Sequence, residues 1–346
     1  MNSERRFDLD IMRAWHCNAV MLVHVFGLVI PFYGMRRLFV STFFALAAAV
    51  FRINVPGFLF LAGYLALYGK KQLEAKRFLS SRLRGCLPLY LGFALFFCFY
   101  YYRYTGIANW IEYIFSGSAG YHLYFVPIIV QLYLLTPFLS QLVRRWPKAT
   151  LYLTLAIGFG YSIINTLTYP LLTGFPWCLP WSVYYVYGLV AGFTAAGRSE
   201  SSWSIPRLQL QIVGYVVAAL LYEGQVHLAG YAGFLLFPKP WNSFLLSGLE
   251  FAKNLLGIAC LRQIFLRLAP RLKPIGWMNK AVAFASAESF LVYLAHPLLL
   301  DALSQIAFFA ARPWALFFVF LPLMWLCVWL FRCGQKGLQK AFISSG

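Results

Sequence analysis

The chain is organised by apolar runs of about 20 residues, near 11–33, 40–68, 85–104, 122–142, 150–168, 180–197, 208–226, 243–262, 283–303 and 313–331. At about 1.5 Å of rise per residue, a helix of that length spans the roughly 30 Å hydrocarbon core of a bilayer. The pattern predicts an all-α, polytopic bundle of about ten spans, with residues 1–346 forming a single domain. Two runs are the least regular: the fourth contains Pro127 and Pro137, and the eighth carries Glu250 and Lys253. No linker rich in Gly, Ser or Pro divides the chain, and no repeat of fixed period is present. The first run carries Arg13 and His24 and lacks a small-residue cleavage site, which predicts a retained span rather than a signal peptide.

Composition agrees with this pattern. The sequence is 61% hydrophobic and only 11% charged, against about 25% charged in soluble domains. The net charge of +19 would point to nucleic acid in a soluble protein, but its distribution points elsewhere. With the N-terminus inside, segments 1–13, 69–84, 143–149, 198–207, 262–280 and 332–346 hold 22 of the 29 Lys and Arg. That asymmetry predicts both termini in the cytoplasm, membrane lipid as the basic residues' partner and no nucleic acid. Trp177, Trp181, Trp241 and Trp314 near span ends suit an interfacial belt. The seven cysteines form no CxxC pair and read as buried apolar side chains, with no metal site.

Ionisable groups inside spans are costly and face a partner or a wet cavity. Arg13 and His24 are eleven residues apart, which on a helix is roughly 16 Å of rise and three turns plus about 20°, so they share a face. His24 can take and return a proton near neutral pH; otherwise it hydrogen-bonds a neighbouring helix. Arg52, midway along the second span, needs an anion, a carbonyl-lined cavity or a backbone partner at the Pro56 kink. Glu288 and His296 lie eight residues apart on nearly one face of the ninth span, open to chemistry or to helix packing. His122 sits at the outer start of the fourth span, where a histidine is ordinarily solvated. Glu250 and Lys253, at i and i+3, are expected to neutralise each other.

Between the second and third spans, Lys70, Lys71, Lys76, Arg77, Arg82 and Arg84 crowd together. They suit either a polyphosphate arriving from the cytoplasm or anionic lipid. Gly-rich phosphate loops, GxSxG and HExxH are absent. The residues by themselves describe a buried His and Arg site behind a basic mouth, without naming a reaction.

The stretch Phe7-Asp8-Leu9-Asp10-Ile11-Met12-Arg13-Ala14 with Val23-His24 resembles the opening of the acyltransferase-3 family, whose signature is an Arg, ten residues and a His. Arg52-Ile53-Asn54-Val55-Pro56-Gly57-Phe58 and Phe60-Leu61-Ala62-Gly63-Tyr64-Leu65 resemble its R-x-x-V-P-x-F and F-x-x-S-G-Y-L. Tyr121-His122-Leu123-Tyr124-Phe125, Tyr133-Leu134-Leu135-Thr136-Pro137 and Ser289 to Pro297 resemble its H-L-W-F, Y-L-x-x-P and S-x-x-x-Y-x-x-H-P. The matches run in order from about residue 7 to 300. They are most similar to the subgroup that includes the O-acetyltransferase of enterobacterial common antigen and the acyltransferases of exported polysaccharides. Ala62 and Tyr124 depart from the family's Ser and Trp.

The resemblance implies transfer of an acyl group, most often acetyl from acetyl-CoA, to a hydroxyl of a lipid-linked or cell-surface glycan in a bacterial cytoplasmic membrane. No SGNH domain is appended, so transfer is expected to finish within the bundle. His24 is then expected to act as general base or transient acyl carrier, with Arg52 on the oxyanion. Arg13, Arg77, Arg82 and Arg84 would hold the donor, and Asp10 would orient Arg13. Glu288, His122 and His296 would serve proton relay or acceptor binding. No metal is expected, and the oligomeric state is left open. A transporter or flippase of a polar lipid or glycan is the alternative from another class; a purely structural scaffold leaves His24 and Arg52 without a reason.

Overall fold

A computed structural model describes residues 6–34, 37–69, 72–168, 176–195, 205–233 and 236–344. Among these residues the chain is helical with no strand. The helices are α1 (Phe7–Tyr33), α2 (Leu38–Ala49), α3 (Asn54–Leu67), α4 (Ala75–Tyr102), α5 (Ile107–Ser116), α6 (Phe125–Arg145), α7 (Pro147–Thr168), α8 (Ser182–Ala195), α9 (Ile205–Ala232), α10 (Lys239–Leu272), α11 (Gly276–Ser304), α12 (Ala307–Ala311) and α13 (Leu316–Ser344). Every predicted span falls on helix. Seven segments are long and apolar enough to cross a membrane: α1, Leu38–Leu67, α4, α6, Trp241–Leu272, α11 and Pro313–Lys336. The protein is a multi-pass membrane protein; the expected spans 150–168, 180–197 and 208–226 lie on α7, α8 and α9, outside those seven.

Local chemistry explains where the boundaries depart from the apolar runs. The helix of the third expected span, α4, starts at Ala75, not near 85, because Lys76, Arg77, Arg82 and Arg84 are good helix formers and no Gly or Pro intervenes before Gly85. The expected basic loop is therefore largely the first turns of α4. A single residue, Trp146, joins α6 to α7, and Pro147 opens α7, where its missing N–H costs nothing. The second span is broken: Val50 to Ile53 leave the helix, and α3 restarts with Pro56 in its first turn. Arg52 sits in that break. Between α4 and α6, the outer connection forms α5, whose Ile107, Ile111 and Phe115 recur every fourth residue and are exposed. Trp110, Tyr113 and Ile114 on its other side pack on the core. That is the pattern of a helix lying in the membrane interface.

The bundle is built around α1, which touches α2, α3, α10, α11 and α13 and buries residues along its whole length. Asp8 and Asp10 lie in its first turn, where the helix dipole favours acidic groups. Trp325 of α13 donates its indole N–H to Asn18 at 2.9 Å. The tightest pairing is α3 against α8. A Cβ at Gly63 would overlap the Tyr185 carbonyl oxygen, and Cβ atoms at Gly188 and Gly192 would overlap the carbonyls of Phe60 and Tyr64. Inside a bilayer such backbone approach replaces the hydrophobic drive between helices. Gly188→Leu should therefore force α3 and α8 apart, at a cost of about 1–3 kcal/mol or more. Thermal unfolding of the detergent-solubilised protein would show it, and an unchanged transition would refute the close approach.

Candidate active site

Three histidines distant in sequence meet at one end of the bundle. The His24 ring centre on α1 lies 5.0 Å from that of His296 on α11. His122, in the segment before α6, lies 5.3 Å from His296. His122 and His296 are buried, 2% and 0% exposed, so His122 is not the solvated interfacial histidine its sequence position allowed. Tyr121 sets its ring edge against His24 at 4.9 Å. Nearby, the Tyr101 hydroxyl donates to the carboxylate of Asp301.

The sequence around Pro297 explains how His296 is held. A proline inside a helix has no N–H for the carbonyl four residues earlier, here that of Tyr293. The His296 ring takes that carbonyl, with Nδ1 2.8 Å from Tyr293 O and 3.2 Å from Val292 O. A carbonyl only accepts, so Nδ1 carries the proton and Nε2 keeps its lone pair. Nε2 is buried without a partner. By the same reasoning His122 donates from Nε2 to Leu294 O at 3.2 Å, leaving its Nδ1 lone pair buried and unpartnered. The Tyr293 hydroxyl donates to the His122 carbonyl, tying α11 to the segment before α6.

A cavity of about 320 Å³ approaches this cluster from the end where α1, α4 and α11 begin. Arg13 and Arg82 line it, with Cys86, Tyr133, Ser286 and Ser289, and Phe58, Phe125 and Tyr293 also form its wall. Tyr293 carries the wall to the histidines, 5.6 Å from His122 and 6.1 Å from His296 between ring centres. Ser286 joins the first-turn charges of α1: it donates to Asp10 at 2.6 Å and accepts from Arg13 at 3.1 Å. Arg13 and His24 thus both face α11, as their spacing requires. Ala62, one of the two family departures, lines the same cavity.

The other expected residues lie elsewhere. Arg77 is at the surface, 4.0 Å from Glu74, and Arg84 is exposed, so Arg82 alone of the three lines the cavity. Glu288 does not join the histidines. Eight residues on a helix leave about 80° between side chains, and Glu288 instead receives two bonds from Arg332 of α13, at 2.9 and 2.7 Å. Arg52 pairs with Glu223 of α9. Lys253 also reaches Glu223, at 3.2 Å, so the expected Glu250–Lys253 pair is replaced by a trio around Glu223.

Glu223, His16, Tyr121 and Asp301 escaped the sequence reading. Glu223 carried the same signal as Arg52, an ionisable group in an apolar run. His16 is fully buried with both ring nitrogens unpartnered, nested on Gly57, where any Cβ would overlap its ring. Its α1 position offered a signal too. Asp301, inside the 283–303 run, carried that signal as well, and Tyr121 stood in the quoted motif, but only folding sets its ring against His24.

Among the described residues, no group of His, Cys, Asp and Glu is placed to hold a metal. Neither a curated protein nor a solved structure matches the chain. The sequence model of the acyltransferase-3 family, described as an acyltransferase domain, matches residues 6–332. Nearly the whole chain, the histidine cluster and the cavity behind it included, lies within that match, and the protein belongs to the acyltransferase-3 family of membrane acyltransferases.

Proposed function

We propose that the protein moves an acyl group, acetyl in the first instance, from cytoplasmic acyl-CoA to a hydroxyl of a lipid-linked or cell-surface glycan, as in the exported-polysaccharide subgroup it resembles. The membrane is then a bacterial cytoplasmic membrane with both termini inside. The observation that carries this reading is the cavity running from Arg13 and Arg82 to Tyr293, against the histidine cluster. Its basic end suits the phosphates of a nucleotide donor, and its apolar walls suit a pantetheine arm and thioester. The roughly 16 Å between Arg13 and His24 is within reach of that arm.

At the far end, His24 is the base. The His296 Nε2 lone pair can accept an N–H from His24, which leaves the other His24 nitrogen free to take a proton. The acceptor hydroxyl gives its proton to that nitrogen as its oxygen attacks the thioester carbon. The carbon–sulfur bond then breaks, and the CoA thiolate recovers the proton from the His24 imidazolium. Asp10, through Ser286, holds Arg13 toward the donor. Arg77 and Arg84 extend the basic entrance outward, and Arg52 and Glu288 act at a distance from His24 through their own ion pairs. The break in the second span favours a transporter as the second reading, because discontinuous helices often line substrate paths. Consumption of acyl-CoA separates the two.

Purified protein given acetyl-CoA and a lipid-linked glycan extract should release free CoA, and His24→Ala should lower the rate by about 10²-fold or more with folding intact. Release by neither protein, with several acyl-CoAs tried, would favour transport. Arg13→Ala should raise the KM for acetyl-CoA about 10-fold while kcat changes less; an unchanged KM would remove Arg13 from the donor site. Pro297→Ala restores an N–H that competes with His296 for the Tyr293 carbonyl. It should lower kcat about 10-fold at constant donor KM, and an unaltered kcat would show that the His296 tautomer does not matter.

A further inference from the structure

A second pair of cavities lies on another side of α1 from the donor cavity. One, of about 210 Å³, contains the Arg52 and Glu223 pair and Lys253. The other, of about 370 Å³, extends between α7, α8 and α10. Both are walled by Trp181, Tyr222 and Glu250, so they adjoin across these three side chains. Trp181, expected near a span end, thus lines both cavities.

Around the smaller cavity the wall offers both donors and acceptors. Arg52 and Lys253 both give bonds to Glu223. Glu250 forms no ion pair or hydrogen bond among the described residues. Asn254, 3% exposed, gives its Nδ2 to Tyr184 at 2.9 Å and leaves Oδ1 buried without a partner. The smaller cavity thus sets the Glu250 carboxylate and Asn254 Oδ1, as acceptors, and the remaining N–H groups of Arg52 and Lys253, as donors, beside aromatic rings, with Trp181 6.1 Å from Tyr124 between centres. Arg52, Lys253, Glu223 and Glu250 sum to no net charge. Such a surface matches an uncharged ring bearing several hydroxyls: the O–H groups donate to Glu250 and Asn254, and the C–H face lies on an aromatic ring.

The position fits an acceptor. Val23, the residue before His24, lines this cavity. Tyr124 and Phe125 are chain neighbours, yet Tyr124 lines this cavity and Phe125 the donor cavity. The two cavities therefore reach the start of α6 from different sides.

We infer that the cavity pair around Trp181, Tyr222, Glu250 and Asn254 is the acceptor subsite and binds an uncharged, polyhydroxylated sugar ring. This rests on the acyltransferase reading for its role, not for its chemistry. Glu250 and Asn254 select the ring by its hydroxyl donors, and Trp181 by its apolar face.

The experiment uses the full chain in detergent with three readouts: acetyl-CoA binding, transfer of labelled acetyl into a lipid-linked glycan extract, and thermal stabilisation by a panel of methyl hexosides and methyl hexuronosides. Wild type is expected to be stabilised by at least one neutral hexoside and by no uronoside. In Glu250→Gln and Trp181→Ala, that stabilisation should be lost. Both variants should bind acetyl-CoA within about twofold of wild type, while the KM for the extract rises about 10-fold or more. Stabilisation by no hexoside, equal stabilisation of the variants, or loss of acetyl-CoA binding together with transfer would overturn the subsite. If wild type binds hexosides but neither binds nor consumes acetyl-CoA, the acyltransferase reading fails while the sugar site stands.

Discussion

An ionisable side chain held inside an apolar bundle has no water to turn to, and the arrangement of this protein follows from where each such group finds its partner. Glu223 is the centre of the largest set, receiving Arg52 from the break in the second span and Lys253 from α10. Removing one member would leave a buried charge uncompensated, which costs far more than the pair itself contributes. The break at residues 50–53 is tolerable for the same reason. Backbone freed from the helix at membrane depth persists where it is buried in protein or lines a cavity; here Ile53 is buried and Arg52 lines a cavity. Arg332 with Glu288, and Ser286 between Asp10 and Arg13, pin α11 to α13 and α1 by the same logic.

The histidine cluster uses a smaller version of this constraint. Pro297 frees one carbonyl, and the side chain next to it fills the gap. The outcome is a fixed tautomer with its lone pair turned to the cluster. A helix defect that would otherwise cost hydrogen bonding thereby becomes a positioning device for His296. His122 and His296 each keep one ring nitrogen buried without a partner.

Two cavities of different chemistry reach this region. One is entered past arginines and lined by apolar and hydroxyl side chains; the other is charge-balanced and lined by aromatic rings and open acceptors. The close packing of α3 on α8, enforced by Gly63, Gly188 and Gly192, fixes a rigid frame beside them, and rigidity matters because misplacement by about 1 Å can cost 10²-fold in rate.

The sequence alone determined what depends on local spacing. Apolar run length placed helices at every proposed span, and the eleven-residue spacing of Arg13 and His24 put both on the side of α1 that faces α11. The ordered motifs from Phe7 to Pro297 pointed to the family that the match over residues 6–332 establishes. Helix ends were less legible, because Lys and Arg continue a helix as readily as they leave a membrane, as the start of α4 at Ala75 shows. Tertiary structure alone decided the partners. Arg52 meets Glu223 across 171 residues of chain, Lys253 passes over its near neighbour Glu250 for the same carboxylate, and Glu288 turns to Arg332 rather than to His296. Helical periodicity gives the face on which a side chain lies, but a charge in an apolar medium goes to whichever opposite group the packing brings nearest, and that choice is made by the fold as a whole.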